Sequence, residues 1–186
     1  MRTFIAVDLS PDIKGKISDL LLRLKRLDSG NIGWIKEHAM HLTLKFLGEI
    51  DDAQDEEIRS LMRKITAASR SFRLSVKGTG FFPQGAKSPR VLWVGIVEHP
   101  VLLEIQDRLE SGLEKLGFPR ENRPFHPHLT LGRVKSAARL SGVLAELEKW
   151  RDFDFGETEV AHIILMKSTL KPTGAEYTPL EEFRLP

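Results

Sequence analysis

The chain has 186 residues, 41% of them hydrophobic and 29% charged, which supports one domain or two small lobes around a buried core and excludes a disordered chain. Its 28 Lys and Arg against 26 Asp and Glu give a net charge of +2, too little for a protein that coats DNA through many phosphate contacts but compatible with a local basic site for one phosphate or a short RNA end. The absence of cysteine excludes disulfides, thiolate catalysis and Cys-based zinc sites.

Arg2 to Val7 is rich in apolar residues and predicts a strand, and it meets Asp8 too soon to serve as a signal peptide. Ser10-Pro11 is a helix start, with a capping hydroxyl followed by proline at the first helical position. Ile13, Ile17, Leu20, Leu21 and Leu24 follow at helical spacing, and Gly30 closes the segment. His41 to Leu47 predicts a strand. Asp51 or Asp52 then caps a helix carrying Ile58, Leu61, Met62 and Ile65. Phe72 to Val76 predicts another strand, and Gly78 to Pro89 reads as a loop.

The pattern then restarts. Val91 to Val97 predicts a strand, and Pro100 opens a helix with Val101, Leu102, Ile105, Leu109, Leu113 and Leu116, stopped by Gly117. After a loop over Glu121–Pro127 come a strand at His128–Leu131 and a helix marked by Leu140, Val143, Leu144, Leu147 and Trp150. Phe153–Phe155 and Val160–Leu170 predict strands, and the tail Lys171–Pro186 reads as mostly irregular. No apolar run reaches membrane-spanning length. The expectation is a soluble, cytoplasmic monomer with no membrane contact and no obligate protein partner.

This order is an internal duplication. The two His-Leu-Thr-Leu segments stand 87 positions apart, and the same offset carries Phe4 onto Val91 and Asp52 onto Arg139. Each half reads strand–helix–strand–helix–strand. Two copies of so long a unit are not a solenoid. They imply two similar lobes, each a sheet with helices on one face, related by an approximate two-fold axis. The expected lobes span about 1–88 and 89–186 of a single domain, with strand exchange between them left open.

On a strand, Leu42 and Leu44 face the core while His41 and Thr43 share the other face, and His128 and Thr130 stand likewise against Leu129 and Leu131. A lone His-x-Thr is usually a satisfied polar pair. Two copies at matching places bring two imidazoles and two hydroxyls to one cleft. Cleaving a phosphodiester with water needs a base for the nucleophile and an acid for the departing oxygen. Histidine, with an ordinary pKa of about 6.5, serves as either near neutrality. Threonine hydroxyls can donate to non-bridging phosphate oxygens. The arrangement requires no metal and no cofactor.

The sequence resembles the two-histidine (2H) phosphoesterase superfamily, and within it the bacterial and archaeal RNA 2′,3′-cyclic phosphodiesterases, also called 2′-5′ RNA ligases. The resemblance covers nearly the whole chain. It runs through Arg2–Val7, His41-Leu42-Thr43-Leu44-Lys45-Phe46-Leu47-Gly48, Pro89–Trp93, Pro127-His128-Leu129-Thr130-Leu131-Gly132-Arg133 and Ser168–Tyr177. It implies an α+β, bilobal fold, with two antiparallel sheets lining a central groove and helices outside. It implies hydrolysis of RNA 3′ ends carrying a 2′,3′-cyclic phosphate to a 2′-phosphate, the 3′ oxygen leaving. By analogy His41 is the proton donor and His128 the base, with Thr43 and Thr130 holding the phosphate. The near-identical motifs do not themselves separate these roles.

Other residues carry weaker signals. Strict alternation puts Arg133 on the leucine face, a bulge at Gly132 would turn it back, and the resemblance favours a substrate-side arginine. Arg90, at a loop-to-strand boundary, is a candidate RNA-phosphate contact or a solvated charge. Lys45 shares a face with His41 and Thr43 by alternation, which places it in the groove or on its rim. His126 and His128 form a His-x-His pair, but without cysteine or a nearby carboxylate no metal site is assigned. His38, His99 and His162 read as surface or packing residues. Phe81-Phe82-Pro83 reads as a hydrophobic plug between lobes in preference to a base-stacking loop. Tyr177 closes the groove or anchors the tail. Two other functions stay open beside hydrolysis: 2′-5′ RNA joining, and an RNA-end binding module without turnover.

Overall fold

Apolar alternation lays out the strands, and 3.6-residue spacing lays out the helices. A computed structural model describes every residue except Ala86, Lys87 and Thr173, and at His38 the backbone only. The expectations for His38 and for those parts of the 78–89 loop and the C-terminal tail therefore lie outside the described residues. In chain order the elements are β1 (Arg2–Val7), α1 (Pro11–Leu27), β2 (Ile32–Trp34), a 3-10 turn (Glu37–Ala39), β3 (Leu42–Glu49) and α2 (Asp52–Ala67). They continue with β4 (Phe72–Phe82), β5 (Val91–Ile96), α3 (Pro100–Lys115), β6 (His128–Val134), α4 (Ser141–Lys149), β7 (Asp154–Val160), β8 (His162–Lys171) and β9 (Gly174–Arg184).

The helix starts follow their capping chemistry. Ser10 accepts from the Ile13 N–H, with Pro11 next. Asp51 accepts from Gln54 N at 2.8 Å while the Gln54 side chain accepts from Asp51 N at 3.1 Å, a complete capping box. His99 is a packing residue, as expected, and also caps α3, which its sequence context did not suggest. Its Nδ1 accepts from Val101 N at 3.2 Å, and its ring stacks on Phe72 with centroids 4.9 Å apart.

The strands form two antiparallel sheets, β3-β1-β8-β9 and β2-β6-β5-β4-β7. Helices α2 and α3 pack on each other, α2 reaching β9 and α3 reaching β3. Helix α1 packs on α4 and β7, and α4 on β4. This is the expected α+β class, but the chain halves interleave. Strands β8 and β9 and helix α3 complete the first sheet and its cover; β2, β4 and α1 complete the second. The outward strand faces and the helix stripes meet in a core that includes Ile5, Ile17, Leu20, Leu74, Leu92, Val94, Leu129 and Leu131. Each such side chain contributes about 1.5–3 kcal/mol through burial.

Three expectations are corrected. The tail is mainly strand, not irregular: β9 pairs with β8 from His162 opposite Arg184 to Lys171 opposite Gly174. Its polar sequence and Pro179 hid it, and an edge strand tolerates both. Strand β4 runs on to Phe82 instead of ending at Val76. Gly78 and Gly80 mask its alternation for steric reasons: a Cβ at Gly80 would stand 2.3 Å from the Trp93 ring. Strand β2 was not foreseen. It is three residues long and held by Asp28, whose carboxylate accepts from Asn31 N, Ile32 N and Trp34 Nε1.

Asp51→Ala removes the α2 cap far from both histidine motifs. It is expected to lower stability by about 1 kcal/mol, read as a lower thermal midpoint with turnover per folded molecule unchanged. An unaltered midpoint would mean the capping box contributes nothing.

Candidate active site

Each histidine motif sits where a strand breaks its own alternation. In the first, Ala6 pairs with Thr43 but Ile5 pairs with Lys45, so Leu44 is an extra residue. In the second, Trp93 pairs with Thr130 but Leu92 pairs with Gly132, so Leu131 is extra. The two bulges therefore fall at matching places. A bulge turns two successive residues toward one face. Leu44 and Lys45 are both buried on the helix side, as are Leu131 and Gly132. The next residue then returns to the face of the histidine: Phe46, 59% exposed, in β3, and Arg133, exposed, in β6.

Two open side-chain questions are settled by this geometry. Arg133 stands on the His128 and Thr130 face, close enough for its charge to act on the His128 ring. It has no ion-pair partner among the described residues. Lys45 is neither in the groove nor on a wetted rim. The Leu44 bulge sends it inward, where it is 4% exposed. Its ammonium donates to Glu110 Oε2 at 2.8 Å and to the Pro119 carbonyl at 2.7 Å.

The motif strands are neighbours. β3 and β6 approach within 8 Å, Cα to Cα. β2 makes this approach possible: it pairs with β6, Ile35 N extends the ladder to Leu131 O at 3.0 Å, and the 3-10 turn then delivers the chain to His41.

His128 Nδ1 lies 2.7 Å from the His126 carbonyl, two residues upstream. A carbonyl only accepts, so the bonded ring nitrogen carries the proton and the other nitrogen of the neutral ring remains an acceptor. At His41 the backbone of Ala39, likewise two residues upstream, favours the protonated ring. Each ring also meets an aromatic edge: Tyr177 on His41, with centroids 5.1 Å apart, and Phe82 on His128, also at 5.1 Å. Phe82 thus packs beside a histidine from within β4, not from a loop. Tyr177 anchors β9 at the site through His41 and Phe4.

The surroundings otherwise differ. His41 stacks on Phe4 with centroids 4.7 Å apart, and Phe46 lies 6.0 Å beyond Phe4. Burial pushes His41 down to about 4, against the attraction of Asp8 and with help from Lys14. Burial also lowers His128, against the bond to the His126 carbonyl and with help from the charge of Arg133. The hydroxyls of Thr43 and Thr130, both partly exposed, have no hydrogen-bond partner among the described residues. Arg90 is exposed beside the start of β5 and stands out of phase with Val91, which is paired with Arg133. His126 supplies its carbonyl to His128. Two neighbours of the motifs were missed: Asp8, which follows the strand paired with β3 and attracts a proton to His41, and Trp93, directly opposite Thr130. Only their positions could have flagged them.

Cavities of about 320 Å³ and about 410 Å³ flank the site without including either motif histidine; the first is lined by Asp8, Ser10 and His162, the second by Gly80, Trp93 and Arg151 among others.

Residues 16–171 match the 2′-5′ RNA ligase superfamily. The chain belongs to that superfamily. It is 36% identical over 183 residues to the RNA 2′,3′-cyclic phosphodiesterase of Methanocaldococcus jannaschii, covering 98% of this chain and 100% of that one. It is 37% identical over 188 residues to the protein of the same name from Thermotoga maritima, covering 98% and 94%. Among solved structures, a Thermus thermophilus protein superposes with a TM-score of 0.84 at 30% identity, covering 100% of this chain and 98% of that one. E. coli LigT in complex with 3′-AMP gives 0.79 at 27%, covering 99% and 97%. Both superpositions extend over nearly the whole of each chain, so the overall fold is shared. No helix among the described residues is long and apolar enough to cross a membrane.

The ring environments have a pH consequence. Between about pH 6.5 and about 4 the unfolded chain binds a proton at His41 that the folded chain refuses. His41 therefore makes stability fall as pH falls through that window, and contributes no pH dependence above it. In an NMR titration the His41 ring should change charge near pH 4, and His128 below its ordinary 6.5. Titration of His41 at or above 6.5 would contradict its burial against Phe4.

Proposed function

We propose that the protein hydrolyses the terminal 2′,3′-cyclic phosphate of RNA to a 2′-phosphate, without a metal, using His41 and His128 as its acid–base pair. The observation that carries this reading is the matched pair of bulged His-x-Thr strands, brought alongside each other in the fold. The names of the Methanocaldococcus and Thermotoga relatives support the substrate class.

In the proposed step, His128 takes a proton from water as its oxygen attacks phosphorus. The bond from phosphorus to the 3′ oxygen breaks, and His41 delivers a proton to that oxygen. Two imidazoles carry both transfers, so the donor set needs no metal to complete the reaction. Thr43 and Thr130 donate to the non-bridging oxygens, and Arg133 adds charge-assisted donors on the His128 side.

The charged neighbours support this division of roles. Arg133 disfavours a proton on His128, as suits a base; Asp8 favours one on His41, as suits an acid. Burial opposes the second assignment, because it leaves His41 neutral near pH 7 in the free protein. The arriving phosphate supplies the negative charge that offsets this desolvation. Family membership also keeps 2′-5′ joining in view, with a 5′-hydroxyl replacing water as the nucleophile in the same step.

A short RNA ending in a 2′,3′-cyclic phosphate, incubated with the protein and a chelator, should yield a 2′-phosphate. A 3′-phosphate would reverse the leaving group, and a requirement for added divalent metal would refute metal independence. His41→Ala and His128→Ala should each reduce turnover by roughly 10²- to 10⁴-fold. Wild-type turnover in either variant would end the two-histidine mechanism.

A further inference from the structure

The Leu44 bulge places the only buried lysine among the described residues two positions after Thr43. Lys45 and Glu110 are 4% and 5% exposed, and their charged atoms are 2.8 Å apart. The pair also holds a third segment. Lys45 Nζ donates to the Pro119 carbonyl at 2.7 Å, and Glu110 Oε2 accepts from Glu121 N at 3.1 Å. Gln106 Nε2, one turn earlier on α3, donates to the other Glu110 oxygen at 3.3 Å.

Pro119 and Glu121 belong to the loop that descends from α3 to His128. The same loop is pinned nearby by Arg120, which donates to Ser111 Oγ at 3.0 Å and Asp107 Oδ1 at 2.9 Å. It ends at His126, whose carbonyl orients the His128 ring. One ammonium therefore connects the strand of the first motif to the segment that presents the second. The duplication does not repeat this device, because the matching position in the second half is Gly132.

We infer that the buried Lys45–Glu110 pair is a positioning latch that sets the His128 loop against the first motif strand, and so fixes the two histidines relative to each other. The inference rests on the two-histidine reading for its catalytic consequence, but not for its structural one. A buried ion pair is a weak source of stability, since well-packed apolar residues of similar volume often replace it without loss. What it supplies here is direction: four hydrogen bonds converge from β3, α3 and the loop. Misplacing reacting groups by about 1 Å can cost roughly 10²-fold in rate.

The test uses the double variant Lys45→Met/Glu110→Leu, because either single change strands a buried charge and endangers folding. Its thermal midpoint, its kcat and KM on cyclic-phosphate RNA, and amide hydrogen exchange over residues 118–128 are compared with wild type. The latch predicts a folded double variant with kcat reduced about tenfold to hundredfold, KM changed far less, and faster exchange in that loop. A folded variant with wild-type kcat and unchanged loop exchange would overturn it. If the wild-type protein itself does not act on the cyclic phosphate, the proposed function fails, and loop exchange alone decides the latch: faster exchange supports it and unchanged exchange overturns it. A double variant that does not fold would equally overturn it, by making the pair a requirement of the fold and not a positioning device.

Discussion

The bulge after each His-x-Thr determines what the site contains. Without it, strict alternation would put Lys45 on the histidine face and Arg133 on the leucine face. With it, Lys45 enters the core and Arg133 joins His128. The constraint is steric and local. One unpaired leucine per motif adds a residue to the strand, and both Leu44 and Leu131 remain buried while doing so. The duplication kept the backbone irregularity at the same place in both halves, although the residues after it diverged to Lys45-Phe46 and Gly132-Arg133.

That divergence distinguishes two nearly identical motifs. His41 lies on Phe4 with Tyr177 at its edge, and Phe46 extends the aromatic surface. His128 has Phe82 at its edge but Arg133 where the first half has Phe46. An aromatic enclosure removes water and penalises charge; an arginine repels a second proton but attracts phosphate. Burial is the largest influence on both rings, and the charges around them differ: Asp8 and Lys14 act on His41, Arg133 on His128.

Much of this was legible in the sequence, and the failures have physical causes. The helices were read nearly to their ends because Ser10, Pro11 and Asp51 carry capping chemistry and the leucines keep strict spacing. The motif faces were read because side-chain alternation holds up to Thr43 and Thr130. It fails one residue later, and nothing in Leu-Lys or Leu-Gly announces a bulge. Lys45 was misplaced for that reason alone. Strand β9 was missed because pairing with β8, not its own composition, makes it a strand. Strand β2 was missed because three residues around Gly33 offer no period to detect, yet it brings the first motif alongside the second.

The interleaving of the halves explains why the site depends on the whole chain. Neither half contains a complete sheet with its helices: the first sheet needs β8 and β9, the second needs β2 and β4, and each helix pair takes one member from each half. Two lobes joined only by a linker would be free to move against each other, and their histidines with them. Here the chain crosses between the sheets four times: through α1 from β1 to β2, through the 3-10 turn from β2 to β3, through α2 from β3 to β4, and through Ala161 from β7 to β8. β2 leads to His41, β7 leads into β8, and Leu185 N is tied back to the Ala161 carbonyl at the last crossing, at 2.8 Å. The backbone ladders that build the core thus bring the two motif strands together, and the buried Lys45–Glu110 pair sets against them the loop that presents His128.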